Sequence, residues 1–266
     1  MKPAQHLSVV LPAYREGPRI HDNLRLLLTE LDKLDHNYEV VVVSDGSPDE
    51  TAAEAQRVAS AHVKVLDYPS NMGKGYALCR GFEASSGDPV VFIDADMELH
   101  PGSIKEFLGI MRDTGSDIVV GSKRHPESRV KYPAFRRLQS AGYHAVVRGL
   151  FSLDVKDTQT GLKLFRREVL EQTTPLLLVK RFAFDLELLA VAHHLGFTKI
   201  VEAPVTLSYK FETTTNARAV YKTLWDTAAV FYRLYLLHYY DRRRRELIAA
   251  TGARPGGDAN LDAMKS

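Results

Sequence analysis

The sequence has a single cysteine, Cys79, so no disulfide can form within the chain and a disulfide-stapled secreted fold is excluded. Cys79 reads as a small apolar helix residue. No window of about 18 uncharged apolar residues occurs, so nothing reads as a bilayer span. The first apolar run, from Leu7, is broken by Pro12 and Arg15 and does not read as a signal peptide. These absences predict a cytosolic chain. Charge of one sign is lacking too: 35 Lys+Arg against 33 Asp+Glu leave a formal net charge of +2, which gives no global field for nucleic acid. The local excess is the run Arg242 to Arg245. NMGKGYAL (71–78) matches neither a P-loop nor G-x-G-x-x-G, which argues against a P-loop kinase and a Rossmann dehydrogenase.

What is there is an alternation. LSVVLPAY (7–14), YEVVVVSD (38–45), VKVLDY (63–68), DPVVFIDAD (88–96), SDIVVGSK (116–123) and TKIVEAPVTLSYK (198–210) read as strands. Helical spacing fills 18–34, 49–61, 74–86 and 101–113, with Ser47 as the expected cap of the second helix and Pro48 in its first turn. Near-continuous Val/Ile runs mark strands buried on both faces, hence a mostly parallel α/β sheet flanked by helices. With 266 residues the chain is long enough for one such domain. The second half predicts helices at 134–151 and 182–196, a loop entering a short strand in DTQTGLKLFRRE (157–168), and an aromatic-rich amphipathic helix over 217–241.

Sheets of this kind bind ligands beyond the carboxyl ends of their strands. Tyr14-Arg15-Glu16, Asp45-Gly46-Ser47 and Asp94-Ala95-Asp96 would all collect there. In DAD, where the strand leaves the core, one carboxylate can meet a ribose and the other a divalent cation. Mg²⁺ or Mn²⁺ needs few protein oxygens and completes its shell from phosphates. Glu98 is a third acid two residues on. Asp45 can accept from a base or ribose hydroxyl, and Lys74 lies between two glycines ahead of a helix. The competing readings are solvated turn aspartates and a solvated loop lysine.

LPAYRE, VVVVSDGSPDET, NMGKGYAL and FIDADMELHP, in this order and spacing, resemble a family 2 glycosyltransferase of the GT-A (Rossmann-like) fold. DTQTGLKLFRRE and KRFAFDLELL resemble its dolichyl-phosphate β-glucosyltransferase branch and, less closely, dolichyl-phosphate mannosyltransferases. The resemblance covers roughly 6–212 and implies a catalytic domain over 1–212, an amphipathic, membrane-interfacial helix over 213–245 and a disordered tail over 246–266. It assigns the nucleotide pocket to Pro12, Tyr14, Glu16, Val43, Asp45, Asp94 and Ala95, and the Mg²⁺ or Mn²⁺ to Asp96 with Glu98, where some relatives carry glutamine. It places the acceptor phosphate near Lys123 or Arg124 and Arg136 or Arg137. Lys210 stands where relatives have a basic residue; Asn216 stands where they have a second, with Arg218 as a weak substitute.

The implied activity is inverting, metal-dependent transfer of a hexose, glucose before mannose, from a nucleotide sugar (UDP-glucose or GDP-mannose) to a polyprenyl or dolichyl phosphate. The implied setting is peripheral, at the cytoplasmic face of a membrane. A phosphate acceptor is anionic already and needs cations rather than a base. The rival readings are a soluble family 2 enzyme with a hydroxyl acceptor, using Asp185 or Glu187 as base, and a non-catalytic nucleotide-sugar-binding module. Asp157 and Gln159 are further candidates for sugar contact, against a purely turn-shaping role.

Overall fold

The fold was taken from a computed structural model, which describes residues 6–58, 60–128, 134–178, 183–208 and 217–252. Its centre is a seven-stranded sheet in the order β3-β2-β1-β4-β6-β5-β7. The strands are β1 (His6–Ala13), β2 (Asn37–Asp45), β3 (Val63–Tyr68), β4 (Val90–Ile93), β5 (Ile118–Ser122), β6 (Leu162–Phe165) and β7 (Ile200–Pro204). All run parallel except β6, which is antiparallel to both β4 and β5. The sheet's switch point lies at β1, which pairs with β2 on one side and β4 on the other.

Alternation along each strand feeds two cores. Leu7, Val9 and Leu11 of β1 join Val91 and Ile93 on one face. Val10, Val90 and Phe92 point to the other. The first face is covered by α1 (Gly17–Leu31) and α4 (Ser103–Thr114), through Ile20, Leu24, Leu27 and Leu31 and through Ile104, Phe107 and Met111. The second takes α3 (Lys74–Glu83), α5 (Ala134–Phe151), α6 (Arg167–Thr173) and α7 (Phe184–His194). Both faces being apolar explains the unbroken Val/Ile runs. Helix α7, buried from Phe184 to Ala192, is likewise apolar around its circumference apart from Asp185 and Glu187 in its first turn.

Three expectations are corrected. The short helix α2 (Thr51–Gln56) starts four residues after Ser47, whose hydroxyl instead accepts the backbone N–H of Arg15 at 3.0 Å. The stretch 217–241 is not one helix: α8 (Ala217–Phe231) passes into a π turn at Tyr232–Leu236, and His238 at φ 45° separates it from α9 (Tyr239–Thr251). Its inner side is Thr227, Val230 and Leu234, whereas Leu224 and Tyr235 are exposed. Finally, α9 continues to Thr251, beyond the expected tail boundary at 246.

Candidate active site

The carboxyl ends of β1, β2 and β4 open onto one cleft of about 490 Å³. Pro12, Tyr14 and Glu16 reach it from β1, Asp45 from β2, and Asp94, Ala95 and Asp96 from β4. Lys74 enters from the start of α3, Gln159 from the loop before β6, and Asp185 from the first turn of α7. Because β6 is antiparallel, its beginning rather than its end lies at this edge, with Leu162 opposite Ile93. That reversal brings the TQTG turn against Asp94.

The loops are fixed by short-range chemistry. Asp49 accepts from Gly17 N–H and from the Thr51 hydroxyl, and Thr51 Oγ1 in turn accepts Glu16 N–H. These bonds hold the turn around Arg15, whose φ of 60° is rare for a side-chain-bearing residue. Asn23 of α1 donates to the Ala95 carbonyl at 2.8 Å, tying the DAD turn to the first helix. Asp96 caps its own turn by accepting Glu98 N–H at 2.9 Å.

Asp45 does more internal work than its motif suggests. Its Oδ1 accepts from the Tyr68 hydroxyl and Met72 N–H, and its Oδ2 from Asn71 Nδ2 and Gly73 N–H, at 2.7 to 3.0 Å. An ionised carboxylate has about four acceptor positions, so Asp45 here anchors the loop that delivers Lys74. Burial and this bond push the Tyr68 hydroxyl well above its ordinary pKa.

The acids at the mouth crowd one another. Burial raises the Asp96 pKa, and Asp94 and Glu98 raise it further. Burial also raises Glu16, with Asp96, Asp49 and Asp94 adding to the shift against Arg19. Glu16 Oε2 is buried without a hydrogen-bond partner. Lys74 Nζ sits 2.6 Å from Asp94 Oδ1. Among the described residues no three acidic, histidine or cysteine side chains close on a single point. The donor set nonetheless fits a hard divalent cation that takes two carboxylates and draws its other oxygens from a bound diphosphate. Mutual repulsion, together with the unsatisfied Glu16 oxygen, marks a place where positive charge is favoured.

Other sequence candidates lie elsewhere. Val43 is buried in β2 against Val41 and Ala77, outside the cleft. Glu98 turns from the cleft to Lys123 (2.8 Å), and neither lines it. Lys123 N–H donates to Asp157 Oδ2, and Arg124 Nη1 to the Lys156 carbonyl, so both basic residues are held at the end of β5. Arg136 and Arg137 fall on α5, and Arg218 on α8, at positions whose side chains are outside those described; Lys210 and Asn216 lie outside the described residues altogether. Glu187 is fully buried, accepts from the Tyr240 hydroxyl and Leu178 N–H, and pairs with the Arg233 guanidinium at 3.3 Å. Sequence reasoning missed Asn23, Asn71, Tyr68 and Lys163. Of these, Asn71 and Tyr68 had a signal, since both flank the loop between strand and helix that carries Lys74.

Residues 8–174 match glycosyl transferase family 2. The chain is 33% identical over 211 residues to glycosyltransferase AglD of Haloferax volcanii, covering 78% of this chain and 34% of that protein. It is 34% identical over 223 residues to human dolichyl-phosphate beta-glucosyltransferase, covering 78% and 68%. To the dolichol-phosphate mannosyltransferase of Pyrococcus furiosus it is 32% identical over 238 residues, covering 86% and 63%. The chain thus spans about a third to two thirds of the curated relatives it matches. In three dimensions it superposes on glucosyl-3-phosphoglycerate synthase from Mycobacterium tuberculosis, solved with Mn²⁺, UDP and glucosyl-3-phosphoglycerate, with TM-score 0.63, 23% identity and coverage of 86% and 79%. The GT-A fold implied by the sequence resemblance is the fold of this chain. The match over more than half its length, together with relatives a third identical, makes the chain a member of glycosyl transferase family 2.

Proposed function

We propose that this chain transfers a hexose, with inversion, from a nucleotide diphosphate sugar to a polyprenyl phosphate. The observation that carries the donor half is the meeting of Tyr14, Glu16, Lys74, Asp94 and Asp96 in one cleft at the switch point of the sheet. Asp96 and, in place of the expected Glu98, which is drawn to Lys123, Asp94 would hold Mg²⁺ or Mn²⁺, which as a Lewis acid would offset the charge developing on the leaving diphosphate. Pro12, Tyr14 and Ala95 would border the nucleoside, with UDP-glucose favoured over GDP-mannose by the similarity to glucosyltransferases.

The acceptor half rests on what the acids are doing. Asp185 reaches the cleft, but Lys163 and Lys74 outweigh the effect of its burial and hold its carboxyl below the ordinary range. A carboxylate held below its ordinary range and already engaged by Lys163 is a weaker general base. Glu187 has no path to the cleft. A hydroxyl acceptor therefore has no suitable base among these two, whereas a phosphate monoester, with a second pKa of about 6, needs none. Lys123 and Arg124, at the end of β5, are the described basic residues that would receive it, with Arg136, Arg137 and Lys210 as further candidates.

Among the described residues no helix is long and apolar enough to cross a membrane. Peripheral attachment to a membrane surface is supported by the exposed Trp225, Tyr232, Leu236 and Leu237 and by the arginines of α9, and the cytoplasmic face is the side that the family resemblance implies. The deciding experiment incubates the protein with radiolabelled UDP-glucose and, separately, GDP-mannose, with polyprenyl phosphate and Mn²⁺. Label should pass into the organic phase from one donor and stay aqueous when the acceptor phosphate is replaced by the free polyprenol. Transfer to the free polyprenol at an equal rate would refute the phosphate reading.

A further inference from the structure

A single chain of alternating charge runs from the protein interior to the cleft. It begins at Lys163, on β6 and only 1% exposed. The Lys163 ammonium donates to the Thr160 carbonyl and, at 2.7 Å, to Asp185 Oδ1. Asp185 Oδ2 lies 3.9 Å from Lys74 Nζ, which in turn meets Asp94 Oδ1 at 2.6 Å. A lysine buried beneath a cleft is costly unless it is paired. Here its partner is an acid whose second oxygen faces another lysine.

The backbone makes this contact possible. A Cβ on Gly75 would stand 2.4 Å from the Phe184 ring, so the first turns of α3 and α7 meet where only a glycine fits. Lys74 precedes Gly75 and Asp185 follows Phe184, which sets the two side chains face to face. From the other side, Asp45 fixes the loop that ends at Gly73. Both ends of the approach to Lys74 are therefore held.

We infer that Asp185 is a positioning residue: backed by Lys163, it holds the Lys74 ammonium at the floor of the cleft to bind the phosphates of a nucleoside diphosphate. The inference rests on the donor reading given above. A lysine stem is flexible, and its rotamer freedom is lost on binding unless it has been ordered beforehand. When a diphosphate competes with Asp94 for the ammonium, Asp185 remains as the contact that keeps Lys74 in place. Lys163 cancels the charge of Asp185, so the aspartate orders Lys74 without adding net repulsion toward the phosphates.

The test is a cycle of variants read by isothermal titration with UDP and GDP, and with uridine and guanosine as controls, in the presence of Mn²⁺. Asp185→Asn combined with Lys163→Met leaves net charge unchanged. It should weaken the tighter-binding diphosphate about tenfold while changing the nucleoside by less than about twofold. Lys74→Met should produce a similar loss, and adding the paired change to Lys74→Met should cost nothing more. Asp185→Glu, which keeps a counter-ion for Lys163 and so protects folding, should give an intermediate loss that also vanishes in the Lys74→Met background. Additive losses, an equal loss for the nucleoside, or no loss at all would overturn the inference. Wild-type protein that binds neither diphosphate would overturn the donor reading and this inference with it.

Discussion

Asp94 owes its direction to a residue with no side chain. A Cβ on Gly161 would stand 2.2 Å from Asp94 Oδ2 and 2.7 Å from its Cγ, so the carboxylate occupies the volume a side chain would need. The end of Asp94 can swing away, which makes Gly161→Ala cheap for the fold. It is expensive for the cleft, because the same carboxylate holds Lys74 and would hold the cation. Gly161→Ala is therefore expected to lower nucleoside diphosphate affinity by about tenfold or more while shifting Tm by less than about 4 °C, the scale of about 1 kcal/mol. Titration and a thermal melt on the same sample check this, and a large fall in Tm with unchanged affinity would contradict it. At this scale the site was half legible. The acids of Asp94-Ala95-Asp96 are readable because carboxylates at the end of an apolar strand are out of place. The saturation of Asp45 by Tyr68, Asn71, Met72 and Gly73 was not, since those donors arrive from 23 to 28 residues away in sequence. Nor was the turn of Glu98 to Lys123, a choice of partner that sequence spacing does not encode.

Helix α7 is anchored at two ends of a two-residue step. Asp185 faces the cleft, and Glu187, fully buried, faces the C-terminal segment, where it accepts from Tyr240 at 2.5 Å and lies 3.3 Å from Arg233, while it also accepts Leu178 N–H, from the segment after α6, at 3.1 Å. Removing the carboxylate would strand Arg233 without its counter-charge. Glu187→Ala is expected to destabilise by about 3–5 kcal/mol and Glu187→Gln by less, since an amide oxygen still accepts from Tyr240; urea unfolding measures both. Equal stability of Glu187→Ala and wild type would mean that the C-terminal helices are not held this way. Elements also show where sequence reading stops. The parallel strands were legible from their Val/Ile runs, but LKLF in β6 is four buried residues with no mark of direction, and its reversal is what brings Gly161 to Asp94. The break between α8 and α9 was equally silent: no glycine or proline marks it, and His238 takes the left-handed conformation that a glycine would take at less cost. The stretch 217–241 read as one amphipathic helix because the π turn adds a residue per turn that a 3.6-residue period does not count.

Over the whole molecule, polarity is arranged rather than abundant. A net charge of +2 gives no long-range pull toward an anionic surface. Attachment would have to come from a local patch, and the C-terminal helices supply its parts. Trp225 is 66% exposed and Leu236 65%, with Leu224, Tyr232, Tyr235 and Leu237 also outward, and Arg242 and Arg245 are exposed on α9. Because Glu187 ties this unit to α7, and α7 carries Asp185, a surface that receives the patch is held in fixed relation to the donor cleft. That relation suits an acceptor whose phosphate must reach the cleft while its hydrocarbon stays in lipid. Each large apolar side chain transferred from water contributes about 1.5–3 kcal/mol, and each arginine near an anionic surface about 1 kcal/mol. Trp225→Ser with Leu236→Ser should therefore lower co-sedimentation with anionic vesicles more than tenfold at any salt concentration. Arg242→Gln with Arg245→Gln should lower it at low salt and make little difference at high salt, where screening already removes their share. Nucleoside diphosphate affinity in solution should be unchanged in both, since neither pair touches the cleft. Undiminished sedimentation of the Trp225/Leu236 variant would show that the membrane is met by some other face, and transfer to polyprenyl phosphate would then need a different approach to the cleft.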